Sequence, residues 1–139
     1  LSRILRISEA ASIALHAMVL LANEGDAPLT TGTIAGRLEV SPNHLSKVLQ
    51  RLAKVGLVEA VRGRGGGYTL GRAPGRVSLK DIYEAIDGPI TSKDCLLGKR
   101  VCRSKKCILS DLLGNVTREV RDYFADTSLA ELADVDLGG

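Results

Sequence analysis

From Ser41 to Gly56 the chain reads SPNHLSKVLQRLAKVG, and its apolar residues fall into a single register. Leu45, Val48, Leu49 and Leu52 recur at i, i+3, i+4 and i+7, the spacing that lines one face of an α-helix. Ser41 is a good N-cap, Pro42 suits the first helical position, and Gly56 supplies the stop. The opposite face carries Asn43, His44, Ser46, Lys47, Gln50, Arg51 and Lys54. A helix divided in this way buries one side and offers a polar, basic side to something else. Just before it, LTTGTIAGRLEV offers threonine caps and the apolar positions Ile34, Ala35 and Leu38, a second short helix. Two short helices with a tight turn, the second basic outside, describe a helix-turn-helix.

The next segment narrows the class further. LVEAV and YTLG are strand candidates that flank an Arg-Gly tip, giving a hairpin over about 57–72. A Walker phosphate loop would require Lys-Ser or Lys-Thr after the glycines and then a helix. Neither is present after Gly67. A flexible linker would not sit inside a hairpin pattern. The remaining reading is a wing, in which glycines let the backbone approach a sugar-phosphate surface and Arg62 or Arg64 enters a minor groove.

Charge agrees with a polyanionic partner. Residues 37–76 hold eight Lys or Arg against Glu39 and Glu59, a surplus of six positive charges. The rest of the chain has eleven basic and fourteen acidic residues. A basic block within a mildly acidic chain is the footprint of a nucleic-acid site. Only four residues are aromatic, too few for the stacking platforms that grip single strands, so duplex DNA is the expected partner.

Elsewhere, Ser8–Asn23 reads as a largely apolar, buried helix whose polar exceptions Glu9, Ser12 and His16 share one face. SLKDIYEAIDGPI is a further helix, capped by Ser78 and stopped at Gly88-Pro89. Near the end, Ile108, Leu109, Leu112, Leu113, Val116, Val120 and Phe124 recur at helical spacing. That stripe has to be covered, either by the domain or by a second copy. No apolar run approaches the roughly 20 residues of a membrane helix, and no secretory signal is visible, so a cytoplasmic location is expected.

Three cysteines lie together as Cys95-x6-Cys102-x4-Cys107, among Lys93, Lys99, Arg100, Arg103, Lys105 and Lys106, with Asp94 the opposing charge. Neighbouring cations favour thiolates, which are reactive or metal-binding. The odd count argues against a simple disulfide framework. Structural zinc sites usually draw on two close cysteine pairs, and only Cys102-x4-Cys107 has such a spacing; the Cys-x2-Cys of a thiol redox enzyme is absent. An iron–sulfur cluster held by three loop cysteines and one outside ligand is chemically reasonable.

VSPNHLSKVLQRLAKVGLVEAVRGRGGGYTLGR, then VSLKDIYEAIDGPI and a cysteine loop, closely resembles the Rrf-type family of winged-helix transcriptional regulators, whose branches are IscR-, NsrR- and CymR-like. The resemblance runs from about Ile7 to Leu132. It implies a mainly α fold with a small β-wing. Residues 1–88 would form a winged helix-turn-helix, 89–107 a cysteine sensor loop, and 108–139 a long dimerisation helix with a C-terminal tail. It implies a homodimeric regulator, a repressor by preference, on double-stranded operator DNA, with no enzymatic activity. Ser41, Asn43, His44, Ser46, Lys47, Arg51, Arg62 and Arg64 are the expected DNA contacts. Ser46 stands where IscR-like members carry Glu, so no operator sequence carries over. In the family the cysteine loop commonly holds a 2Fe–2S or 4Fe–4S cluster, here through Cys95, Cys102 and Cys107. The cysteine spacings differ from the more even ones of IscR- and NsrR-like members, and Ile108, Leu109, Ser110 and Asp111 stand where IscR-like members place a His. Some members take the fourth ligand from the first helix of the other subunit. His16 matches one such position, Ser12 stands where the acid usually is, and Glu9 lies on the same face. The implied signal is redox state, nitric oxide or iron–sulfur status. The alternative is a cluster-free, thiol-switching regulator like the CymR branch.

Overall fold

The computed structural model describes residues 6–91, 97, 101–102 and 107–137. Within them lie five helices, α1 (Glu9–Glu24), α2 (Thr31–Leu38), α3 (Pro42–Lys54), α4 (Leu79–Asp87) and α5 (Leu112–Asp126). Strands β1 (Val58–Val61) and β2 (Gly67–Leu70) pair antiparallel, and 3-10 turns occupy Pro74–Arg76 and Leu129–Leu132. This is a winged helix-turn-helix with further helices on either side.

Caps account for most helix starts. Ser8, Thr30, Ser41 and Ser78 each accept a backbone N–H from three residues on, satisfying a donor that the first turn leaves unpaired. At α4 the cap is reciprocal, because Asp81 also accepts the Ser78 N–H at 3.1 Å. The turn between α2 and α3 is made by Glu39, which adopts a left-handed conformation with φ 55° and donates its N–H to the Ala35 carbonyl.

The core is built around α1. Ala11, Ile13, Ala14, Ala17, Met18, Leu20 and Leu21 pack with Ile34 of α2, Leu45, Val48, Leu49 and Leu52 of α3, and Ile82 and Ile86 of α4. The α3 stripe is the one expected from periodicity. Helix α1 is less enclosed than its composition suggests, since half of its sixteen residues are buried and His16 is exposed.

Two differences from the sequence reading concern the C-terminal region. Helix α5 begins at Leu112 and not at Ile108, because Ser110 turns left-handed (φ 52°) and residues 107–112 form successive turns. None of the α5 residues is fully buried. Its inner side meets α4 through an edge-to-face pair, Tyr83 and Phe124, with ring centres 5.7 Å apart. Beyond α5 the chain folds back onto its N-terminal part. The Leu79 N–H donates to the Thr127 carbonyl, the Leu129 N–H to that of Val77, and Leu129 is fully buried. Asn23 Nδ2 then holds the Val135 carbonyl at 2.7 Å and Arg37 Nη2 that of Leu137 at 3.2 Å.

Candidate nucleic-acid interface

Helix α3 is amphipathic in the strict sense. With Leu45, Val48, Leu49 and Leu52 buried, Asn43, Lys47, Gln50, Arg51 and Lys54 are exposed, and His44 and Ser46 are half-buried at the margin. Ser41 opens the helix, its Oγ accepting the His44 N–H at 3.4 Å. His44 Nδ1 lies 3.9 Å from Glu9 Oε1 of α1, a charge pair only when the imidazole is protonated. Gln50 Nε2 donates to Ser46 Oγ at 3.4 Å, so these two side chains share one surface. Arg51 is differently occupied: Nη2 donates to the Ile86 carbonyl of α4 at 2.5 Å.

The wing continues from α3 without a break. The Leu57 N–H donates to the Leu52 carbonyl at 3.0 Å, and Arg72 Nη2 reaches back to the Val55 carbonyl at 3.2 Å, so both wing edges are tied to the end of α3. In the register Val58↔Leu70, Glu59↔Thr69, Ala60↔Tyr68 and Val61↔Gly67, the strands leave residues 62–66 as the tip. Arg62 and Arg64 are exposed there. Leu29 adds an isolated bridge to Tyr68 on the far edge of β2.

The glycines serve the wing's own closure. A Cβ on Gly66 would run into the carbonyls of Val61 and Gly63, and one on Gly67 into the carbonyl of Leu29. Gly67 also has φ 146°, outside the range of other residues. The sequence pattern assigns these glycines to close approach of DNA; intramolecular crowding already requires two of them.

Of the eight basic residues in 37–76, three are held internally: Arg37 by Glu24 and Leu137, Arg51 by Ile86, and Arg72 by Val55. Lys47, Lys54, Arg62, Arg64 and Arg76 are exposed and make no hydrogen bond or ion pair within the described residues. Four of these five lie on the outer face of α3 or at the wing tip, and Arg76 lies in the 3-10 turn beyond the wing. Exposed, unpaired cations on one face of a helix and at the adjoining hairpin tip suit the phosphate backbone of a duplex.

The chain matches the profile of the Rrf2 family, described as iron-dependent transcriptional regulators, over residues 7–135. It belongs to that family. The IscR regulator of Xenorhabdus nematophila is 34% identical over 121 residues, covering 86% of this chain and 69% of that protein. Among solved structures, CymR, the global cysteine regulator of B. subtilis, superposes with a TM-score of 0.80 at 28% identity over 95% of this chain and 98% of that one. IscR of T. potens does so with 0.72 at 25% identity, over 92% and 85%. As a member of the Rrf2 family the chain is a DNA-binding transcriptional regulator, and the reading as a thiol redox enzyme falls away. No helix is long and apolar enough to cross a membrane among the described residues.

The residues expected to hold a cluster are less fully described. Cys95 lies outside the described residues. Cys102 is exposed, and Cys107 is half-buried with its Sγ facing the Leu109 N–H at 3.5 Å. His16 is exposed on α1, and Nδ1 meets the Ser12 carbonyl at 2.6 Å. A carbonyl only accepts, so Nδ1 carries the proton and neutral His16 keeps a lone pair on Nε2. That arrangement orients a ligating imidazole well. Among the described residues no group of three His, Cys, Asp or Glu stands close enough to hold a metal ion, so one chain does not bring His16 to Cys102 and Cys107.

Proposed function

We propose that the protein is a homodimeric regulator, a repressor by preference, that reads a two-fold operator with α3 and its wing and senses redox state, nitric oxide or iron–sulfur status through its cysteines. The observation that carries the DNA half is the exposed polar face of α3 continuing into an Arg-Gly tip tied to its C-terminal end. Asn43, Ser46 and Lys47 face bases or phosphates, Ser41 and His44 lie at the helix start, and Arg62 and Arg64 enter the flanking groove. Arg51 shares the face, but its guanidinium is turned to Ile86.

Homodimerisation is supported by α5. Leu112, Val116 and Tyr123 are 53%, 40% and 59% exposed, and Ile108 just before the helix is 87% exposed. At the other end, Leu15, Val19, Leu79, Phe124, Leu132 and Val135 line an apolar groove of about 270 Å³ beside His16. Leu112 stands 12 residues before Phe124, roughly 18 Å along α5, too far to fill its own groove. A second, antiparallel copy brings stripe and groove together. In such a dimer the two recognition helices would have to match half-sites about one DNA turn apart.

The donors suit an iron–sulfur cluster: Cys95, Cys102 and Cys107 from one chain and His16 from a second copy. The cluster, 2Fe–2S or 4Fe–4S, would supply sensitivity to oxidants, nitric oxide or iron supply. The chain's own part is to supply the cysteines from a segment rich in Lys and Arg and to fix the His16 tautomer through Ser12. A cluster-free thiol switch is the second reading, favoured by the exposed Cys102 and by the likeness to CymR.

Purification without oxygen, with iron and sulfide counted per chain and the visible spectrum recorded for the parent and His16→Ala, separates the two. Stoichiometric iron and sulfide with a spectrum altered in His16→Ala is the expected result. A colourless protein that stays iron-free after reconstitution discards the cluster and leaves the thiol switch. A His16→Ala spectrum identical to the parent's removes His16 as a ligand.

A further inference from the structure

The short turn that leads from α4 toward the cysteines is gripped by arginines from two other helices. Gly88 donates its N–H to the Glu84 carbonyl, ending α4 and leaving the Ile86 carbonyl without a partner within the helix. Arg51 of α3 takes that carbonyl at 2.5 Å. Four residues on, the Ile90 N–H donates to Glu84 Oε2 at 2.8 Å, and the Ile90 carbonyl accepts from Arg121 Nη2 at 2.6 Å and Nε at 3.2 Å. Lys80 holds the other Glu84 oxygen at 2.9 Å. A cation on the last carbonyls of a helix is favourable, and a charged donor makes the stronger class of hydrogen bond. One face of α3 is therefore registered against α4 through Arg51, and the same turn is registered against α5 through Arg121.

We infer that Arg51 is a positioning residue of the DNA-reading helix and not one of its phosphate contacts, and that the 86–90 turn is the joint through which α5 sets the pose of α3. The inference rests on the reading of α3 as the recognition helix. A phosphate contact neutralises charge and acts on every duplex alike, whereas a positioning contact acts through base contacts that need the helix at one tilt. Arg121 makes no contribution to the face of α3, yet it holds the same turn from the side of α5. Losing either arginine frees the turn, so the two losses overlap.

The test uses the full chain, a duplex selected from random-sequence DNA by the unmodified protein, and an unrelated duplex of equal length, with affinities measured across a salt series. For Arg51→Gln the expected loss is about tenfold on the selected duplex and under about twofold on the unrelated one, with the salt slope unchanged. Arg51→Lys keeps a donor for the Ile86 carbonyl and is expected to bind within about threefold of the parent. Arg121→Gln should reproduce the loss of selectivity, and the double variant should lose clearly less than the product of the single losses. Equal losses on both duplexes with a slope lower by about 0.9 would make Arg51 a phosphate contact and overturn the inference. An unaltered Arg51→Gln, or multiplicative losses in the double variant, would overturn it as well. If Arg51→Gln does not fold, Arg121→Gln carries the test, and unchanged selectivity there is refuting. A parent protein that selects no duplex would instead remove the recognition-helix reading, and the inference with it.

Discussion

Leu29 and Tyr68 exchange two backbone hydrogen bonds, at 3.0 and 2.7 Å, and so seat the wing on the segment that leads into the helix-turn-helix. Gly67 sits beside this pair with no room for a Cβ against the Leu29 carbonyl. Gly67→Ala should destabilise the fold by about 2–4 kcal/mol, combining a forbidden φ with a backbone clash. Gly65→Ala, with φ 74° and open space around it, should cost only about 1 kcal/mol. Urea denaturation of both checks this, and equal losses would show that the Leu29 contact is not limiting.

Glu39 makes the turn between α2 and α3 in a left-handed conformation that suits glycine better. Glu39→Gly should raise stability by about 0.5–1 kcal/mol, after the extra entropy of glycine in the unfolded chain is subtracted. A higher urea midpoint at constant m-value is the expected reading.

Arg62 and Arg64 stand at the wing tip without internal partners among the described residues. Arg62→Ala and Arg64→Ala should leave the melting temperature within about 2 °C, because surface changes of this kind are nearly neutral. Each arginine that pairs with a phosphate should, on removal, lower the slope of log affinity against log salt by about 0.9. A slope unchanged in both variants would mean that the tip touches no phosphate.

Leu112 and Val116 belong to the uncovered stripe of α5. Replacing both by Asp should yield a monomer in sedimentation equilibrium while the helix content by circular dichroism stays close to the parent's, since neither residue is part of the buried core. A parent protein that is already monomeric would refute the dimer.

Glu84 has its pKa lowered, first by the Ile90 N–H and then by Lys80, with partial burial opposing. A carboxyl depressed in the folded state stabilises the fold above its unfolded value and loses that contribution as pH falls through the folded one. Stability should therefore decline from about the ordinary glutamate value of 4.5 downward, and Glu84→Gln should flatten that part of the profile. An unchanged profile would separate the Ile90 bond from folding.

How much of the molecule is legible in its sequence depends on where the signal resides. The α3 stripe and the hairpin are local patterns, with period 3.6 and paired strand candidates, and both are found in the fold. The start of α5 is not legible, because the apolar pattern runs on through residues 108–111 while Ser110 breaks the helix with one backbone angle. Leu129 is buried in the core and Leu132 and Leu137 pack against it, but a short apolar run after α5 carries no sign in the sequence of which surface it will meet. The engagement of Arg51 is with a carbonyl, and carbonyls have no letter in a sequence. Cys102, Cys107 and His16 are legible as chemistry, but whether two chains unite them is a question of assembly.

The fold-back of residues 127–137 bears on how the molecule is made. Leu129 fills the centre of a core begun by Ala11 and Ile13, and Asn23 and Arg37 wait for carbonyls a hundred or more residues later. On the ribosome, the helix-turn-helix would be synthesised early yet lack its last core side chain until the cysteines and α5 had emerged. Contacts of such long sequence separation form late. A nascent or prematurely terminated chain would then be a poor competitor for DNA, so that binding becomes available only to chains that already carry the cysteines and α5.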